Sequence, residues 1–391
     1  MQPFTEAERI RDVQSPVIPI VGELFRANPG TISLGQGVVH YPPPPEALER
    51  MQAAATDPSA HGYGPVAGIP ALRDALSRKL SEENGLLIGE HCEVVVTAGG
   101  NMAFLVAILA IADPGEEIVL PSPYYFNHEM AVRIAGCRPV LVNTDTSYQL
   151  RPDALEAAVT DRTRAIVTVS PNNPTGAVYP ADALEAVSGL CRRRGLFHIS
   201  DEAYEYFIYD DAMHTSPGSF EAASTYTISL YSFSKAYGLA GARMGYMVVP
   251  RSLMDAVRKI QDTMLICPPL SSQFAALGAM EAGAMYCKNY VRELAGVREL
   301  VVDELRMLGE RVTVPEAKGA FYVLMRIDAD LGDLAVVRRL IEEFGVAVIP
   351  GSAFGAVDGC YLRVAYGALE KTTVATAMKR LVVGMRTILG A

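Results

Sequence analysis

From about Glu90 onward, short runs dominated by Val, Ile and Leu alternate with longer stretches whose apolar residues recur at helical spacing. The segments EVVVTAG, EEIVLPSP, RPVLVNTD, RAIVTVSPNNPTG, LFHISDEAY and STYTISLYSF each predict one strand. Between them fall an apolar helix from Met102 and the helical stretches NHEMAVRIAG, DALEAAV and DALEAVSGLCRRRG. The strand runs are nearly continuous rather than alternating, which is expected when both faces of a sheet are covered. A βαβ rhythm of this kind predicts an α/β fold: a three-layer αβα large domain with a mostly parallel sheet.

Near Met280 the pattern changes. A long charged helical stretch from about Tyr286 to Leu308 links to GAFYVLMRI, LAVVRRLIEEFG, VAVIPG, GCYLRVAYG and a last helix. These predict a smaller α+β domain, completed by the amino-terminal segment before Gly37, with the proline run YPPPPEAL as a rigid crossing between lobes. The expected division is 41–285 for the large domain, with 1–40 and 286–391 forming the small one. No repeat at solenoid periods is visible.

Composition narrows the function classes. The 391 residues carry a formal charge of −10, which argues against holding nucleic acid or an anionic membrane through the global field. The six cysteines are scattered without a CxxC pair, and the six histidines form no HxxxH spacing, so neither a disulfide framework nor a metal site is expected. The beginning of the chain, MQPFTEAERIRDVQ, lacks the apolar core of a signal peptide, and the longest apolar run, MAFLVAILAIA, is too short to span a bilayer. A cytoplasmic protein is the expectation.

Candidate chemistry gathers at predicted strand ends. YSFSKAYGLAGARMGY places Lys235 after a strand, among Ser232, Ser234, Gly238 and Gly241, with Arg243 following. TAGGN joins a strand to a helix, and Gly99, Gly100 and Asn101 there could bring backbone N–H groups up to an anion. SPNNPTG ends another strand, and ISDEAYEYF puts Asp201 at the end of an apolar one. Taken singly, these also fit an idle loop lysine, a plain turn and a helix cap. Together they ask for one ligand with a phosphate, a cationic ring nitrogen and a carbonyl for Lys235, and pyridoxal phosphate has all three. A nucleophilic amine must be neutral, so the lysine needs desolvation or a nearby cation, and a carboxylate at the ring nitrogen would maintain the electron sink.

In these motifs, and in their order over nearly the whole chain, the sequence resembles the class I/II aminotransferases, the fold-type I pyridoxal-phosphate family. The resemblance implies that Lys235 is the Schiff-base lysine and that Arg243, Ser232, Ser234, Gly99, Gly100 and Asn101 surround the phosphate. It puts Asn173 of the NPTG motif near the ring oxygen and substrate carboxylate, Asp201 at the pyridine nitrogen and Tyr204 at the ring oxygen. Tyr125 takes the place of the ring that stacks on the cofactor, and Gly37 lies beside the substrate. Arg363 of YLRVAYG matches the arginine that grips the α-carboxylate as a bidentate fork. Tyr63 of GYGPVAGIP matches the tyrosine that reaches the neighbouring subunit's phosphate, implying a homodimer with shared sites.

The implied reaction is ping-pong transfer of an amino group from an L-amino acid to 2-oxoglutarate or another 2-oxo acid, with Lys235 shuttling a proton. Asp201 and Tyr204 act on the ring. A carbon–sulfur β-lyase or an aminocyclopropane-carboxylate-type synthase on the same scaffold is the alternative. A regulator carrying such a domain would need a DNA-binding extension ahead of Gly37, and a dead scaffold does not suit a full set of competent cofactor residues. One departure stands out: GQGVVHYPPPP has Val39 and His40 where the family usually has Pro-Asp or Pro-Glu, with His40 expected to be structural. The resemblance implies a side-chain pocket built from several loops and from the partner subunit; its candidates include Val38, Val39, Tyr41, Tyr63, Tyr124 and Ile266, mostly apolar or aromatic, which leans towards an aromatic or large neutral amino acid.

Overall fold

A computed structural model describes residues 5–14 and 17–390; the first four residues of the polar beginning, residues 15 and 16, and residue 391 lie outside the described residues. Thirteen strands are described: β1 Ile32–Ser33, β2 Cys92–Thr97, β3 Glu117–Ser122, β4 Arg138–Asn143, β5 Thr163–Val169, β6 Phe197–Asp201, β7 Thr227–Ser232, β8 Gly245–Pro250, β9 Val312–Thr313, β10 Tyr322–Ile327, β11 Val346–Ala347, β12 Ile349–Pro350 and β13 Cys360–Ala365.

β2 to β8 form one seven-stranded sheet in the order β2-β8-β7-β6-β5-β3-β4. Five of its strands run parallel to one another, from β7 across to β4, as the apolar runs predicted. β8 was not anticipated. It is antiparallel to both β2 and β7 and lies between them. Every residue of β3 and of β8 is buried, as continuous apolar strands require when helices cover both faces. The apolar run after Gly99 forms the helix Gly100–Ile111, with Phe104 and Ile108 fully enclosed against β7 and β8.

The remaining strands make a four-stranded antiparallel sheet, β12-β13-β10-β9, and the parallel pair β1-β11. Ile32 pairs with Val346, so the amino-terminal segment is built into the same region as the carboxy-terminal third. The helix Ala284–Arg306 leads from one region to the other, packing on the last helix, Lys371–Leu389. No described helix is long and apolar enough to cross a membrane.

Candidate active site

Strand register does most of the assembly. Val169, Asp201 and Leu230 are neighbours across β5, β6 and β7, so these parallel strands end on one rim. Asp201 ends β6 on that rim, and the segments that follow β5 and β7 deliver Asn173 and Lys235 to it, where open α/β sheets hold ligands. A second row, Thr97–Gly245–Ser232, crosses β2, β8 and β7. It brings the loop at residues 99–101, Arg243 and Ser232 together from three separate parts of the chain. A Cβ on Gly245 would press within 2.8 Å of the Gly99 and Tyr231 backbones, so only glycine allows this approach.

These residues line a cavity of about 570 Å³. Of the expected site residues, Gly37, Gly100, Asn101, Tyr125, Asn173, Asp201, Tyr204, Ser232, Ser234, Lys235, Arg243 and Arg363 border it. Gly99 lies just behind, at φ +85 where any side chain is strained, and its missing Cβ leaves room for the Arg243 guanidinium. Tyr63 stands apart, 84 % exposed on the surface.

Lys235 sits in the short helix Phe233–Ala236 directly after β7, and its Nζ donates to the carbonyl of Gly37. Burial, then the positive charges of Arg363 and Arg243, lower its pKa to about 8; the Asp201 carboxylate works in the opposite sense. Asp201 is held from two sides. Its Oδ1 accepts from the Ala203 N–H at 3.0 Å, and its Oδ2 lies 3.0 Å from Nε2 of the buried His128, which stacks on Phe104 at 4.0 Å.

At the other end, Arg363 reaches in from β13. Its Nη1 donates to Asn173 Oδ1 at 2.9 Å, its Nη2 to the Gly35 carbonyl at 2.8 Å, and its Nε has no partner. The guanidinium lies between the rings of Tyr322 and Phe354, with its centre 4.6 and 4.7 Å from theirs. The hydroxyls of Tyr204 and Tyr322 share a hydrogen bond of 2.7 Å. Burial raises both phenols, Tyr322 to about 12, so both remain proton donors at neutral pH. The Tyr125 hydroxyl donates to Asn101 Oδ1 at 3.3 Å and accepts from Asn127 at 2.7 Å.

The phosphate-sized end fits an anion. The helix Gly100–Ile111 opens its first N–H groups there, a Cβ on Gly100 would meet nothing within 4 Å, and Arg243 and the Ser232 and Ser234 hydroxyls surround the space. Arg243 adopts φ +53, an unusual conformation for a residue with a side chain, stabilised by an Nη1 bond to the Ala240 carbonyl at 2.9 Å.

Several important residues were not anticipated. His128 follows Tyr125 by three positions and therefore shares its helix face, a spacing present in YYFNHEM. Tyr322 shares a strand face with Leu324, beside Arg363. Of the side-chain pocket candidates, Val38 lines this chain's cavity and Val39, Tyr41 and Tyr124 do not; Tyr63 and Ile266 also lie away from it. The apolar wall comes instead from the helix Val17–Ala27, through Ile18, Val21 and Phe25, with Ile349 and Phe126. That helix carries apolar residues at i, i+3 and i+7, a stripe that could have marked it. His40 stays outside the cavity, edge-on to Tyr41 and Tyr290.

Residues 29–381 match the family described as aminotransferase class I and II. The chain is 35 % identical over 392 residues to the aromatic aminotransferase ISS1 of Arabidopsis thaliana, covering 98 % of this chain and 97 % of that protein. It is 38 % identical over 338 residues to a probable aspartate/prephenate aminotransferase of Aquifex aeolicus, covering 83 % and 82 %. Among solved structures, the aromatic aminotransferase of Pyrococcus horikoshii superimposes with a TM-score of 0.88 at 34 % identity, over 95 % of this chain and 100 % of that one.

Proposed function

The chain belongs to the class I and II aminotransferases, and we propose that it binds pyridoxal 5'-phosphate at Lys235 and takes amino groups from aromatic or large neutral L-amino acids for a 2-oxo acid. When bound, the cofactor supplies an electron sink conjugated with the bond that breaks at the amino acid's Cα.

Each residue has a separable task in this reading. Arg243, Ser232, Ser234 and the N–H groups after Gly99 hold the phosphate, and Tyr125 covers the ring. Asp201, oriented by His128 and the Ala203 N–H, would face the ring nitrogen and hold a proton there. Tyr204 and Asn173 offer hydrogen bonds to the ring oxygen. Lys235, with its pKa lowered to about 8, can be neutral near physiological pH and would act as the base that takes the proton from the substrate Cα and as the acid that gives it back. Arg363 orients the substrate carboxylate, with its unpartnered Nε as the free donor.

One observation carries the substrate preference. The only Lys or Arg side chains among the described residues lining the cavity are Lys235, Arg243 and Arg363, and each already has a task. None of this chain's own cations remains for a second carboxylate, and much of the wall left for a substrate side chain is apolar, from Ile18, Val21, Phe25, Val38, Phe126 and Ile349. Residues 41–285 would then carry the cofactor while 1–40 and 286–391 close over it, because the seven-stranded sheet lies wholly within the first range. Exposed Tyr63 belongs, in this reading, to the phosphate site of a second subunit in a homodimer.

The test is a single half-reaction with no acceptor present. Phenylalanine, tyrosine or leucine should release one equivalent of 2-oxo acid per site and no ammonia, and Lys235→Ala should not turn over. Release of ammonia, or aspartate as the sole effective donor, overturns the reading.

A further inference from the structure

We propose that Tyr41 is a positioning residue for Lys235, its hydroxyl fixing the backbone of the lysine turn. Tyr41 is buried, and its hydroxyl donates to the Lys235 carbonyl at 2.8 Å, with the Ala236 carbonyl at 3.3 Å. These carbonyls end a four-residue helix. A helix leaves its last carbonyls without internal partners, and in so short a helix that includes the lysine itself. Burial raises the phenol far above its ordinary range, so it stays a donor throughout the working pH range.

The grip is two-ended. Gly37, four residues earlier on the same segment, accepts from the Lys235 Nζ. The crossing segment 37–42 therefore holds the lysine by its amine and by its backbone. It also lies directly against the turn: a Cβ on Gly238 would come within 2.8 Å of the Tyr41 carbonyl oxygen.

Tyr41 is itself anchored to the helix Ala284–Arg306. Its ring stacks on Tyr290 with centroids 4.1 Å apart and meets Tyr286 edge-on at 6.0 Å. The Tyr286 hydroxyl donates to the Pro42 carbonyl at 2.6 Å, and Cys287 Sγ lies 3.6 Å from the Tyr41 hydroxyl. The helix Ala284–Arg306 is thus joined to the lysine turn through Tyr41. Displacements of about 1 Å at a reacting group can cost up to about a hundredfold in rate, so a single hydrogen bond at this place has leverage.

The test compares Tyr41→Phe, which keeps the ring and its stack, with Tyr286→Phe, which removes a neighbouring hydroxyl that does not touch the lysine turn. The first readout needs no cofactor: competitive acetylation of Lys235 in cofactor-free protein, referenced to exposed Lys288. Tyr41→Phe should change Lys235 labelling by about fivefold and lower kcat by about tenfold with KM little altered. Tyr286→Phe should do neither, and 3-fluorotyrosine at position 41, which restores the donor, should behave as the native protein. Unchanged labelling or unchanged kcat in Tyr41→Phe overturns the proposal, as does an equal effect in Tyr286→Phe. If Tyr41→Phe does not fold, loss of native labelling or native kcat in the fluorotyrosine protein overturns it. The kcat arm rests on the cofactor role of Lys235, but the labelling arm does not; absence of transamination by the native protein would count against that role alone.

Discussion

Arg363 Nη1 lies 2.9 Å from Asn173 Oδ1, a buried bond between β13 of the four-stranded sheet and the turn that follows β5 of the seven-stranded one. Because Nη2 is also engaged, by Gly35, the guanidinium cannot swing away, and its orientation is set before any substrate arrives. A lysine at this position could reach one of these acceptors as a point charge but could not reproduce the fork.

Arg363→Lys should therefore lower kcat/KM for every amino donor by about a hundredfold, a loss of about 3 kcal/mol in transition-state binding. Most of it should fall on KM, measured in steady state with two donors of different side chain. An equal loss for all donors marks a contact to the common carboxylate.

The apolar wall yields a gain-of-function prediction. Ile18 lines the cavity from the helix Val17–Ala27. Ile18→Arg should raise kcat/KM for aspartate relative to phenylalanine by at least about tenfold, by supplying the missing cation for a second carboxylate. The ratio of the two donors in one competition assay checks this without concern for total active enzyme.

Removing the lysine should stabilise the cofactor-free protein. The folded state holds Lys235 at a pKa of about 8, against 10.5 for the ordinary side chain. Between those values the unfolded chain binds more protons, so this group's penalty is fully present below about pH 8 and fades as pH rises towards 10.5. Lys235→Met should raise the thermal midpoint at pH 7 and lose most of that advantage by pH 10.5, measured without cofactor.

His198 makes an acid-side counterpart. It is fully buried, with Thr168 2.8 Å from its Nε2 and no partner at Nδ1, and burial depresses its pKa from 6.5 to about 4. The unfolded chain binds more protons between pH 4 and 6.5, so stability from this residue is lost as pH falls through that window, by about 3 kcal/mol in all. Urea midpoints at pH 7 and pH 4.5 should converge in His198→Gln relative to the native protein.

His128 holds Asp201 from the side opposite the Ala203 N–H. His128→Leu should weaken cofactor retention by about tenfold, the cost of removing one charge-assisted bond. Equilibrium dialysis of the cofactor measures it directly, and an unchanged dissociation constant would remove His128 from the site.

How much could be read in the sequence varied with the range of the signal. The parallel strands were visible because burial on both faces favours continuous apolar runs, as in the IVLP of β3 and the AIV of β5. β8 escaped because its strand, GYMVVP, follows a glycine-rich stretch that reads as a continuation of the lysine segment. Lys235, Asp201, Asn173 and Arg363 were identifiable because each sits in a distinctive local string. His128 and Tyr322 act through partners distant in sequence, Asp201 and Tyr204, and so left little local trace. The side-chain wall was misplaced for the same reason: which residues face the cavity depends on how the helix Val17–Ala27 docks, and no residue of that helix states its neighbour.

The two halves of the site also mature at different times during synthesis. The row Thr97–Gly245–Ser232 is complete once residue 250 has left the ribosome, and with it the proposed phosphate and ring contacts. The proposed carboxylate clamp at Arg363 is held by Gly35, beside the pairing of Ile32 with Val346, so the oldest and newest parts of the chain must meet there. Every residue proposed to hold the cofactor is thus synthesised more than a hundred residues before the arginine proposed to hold the substrate.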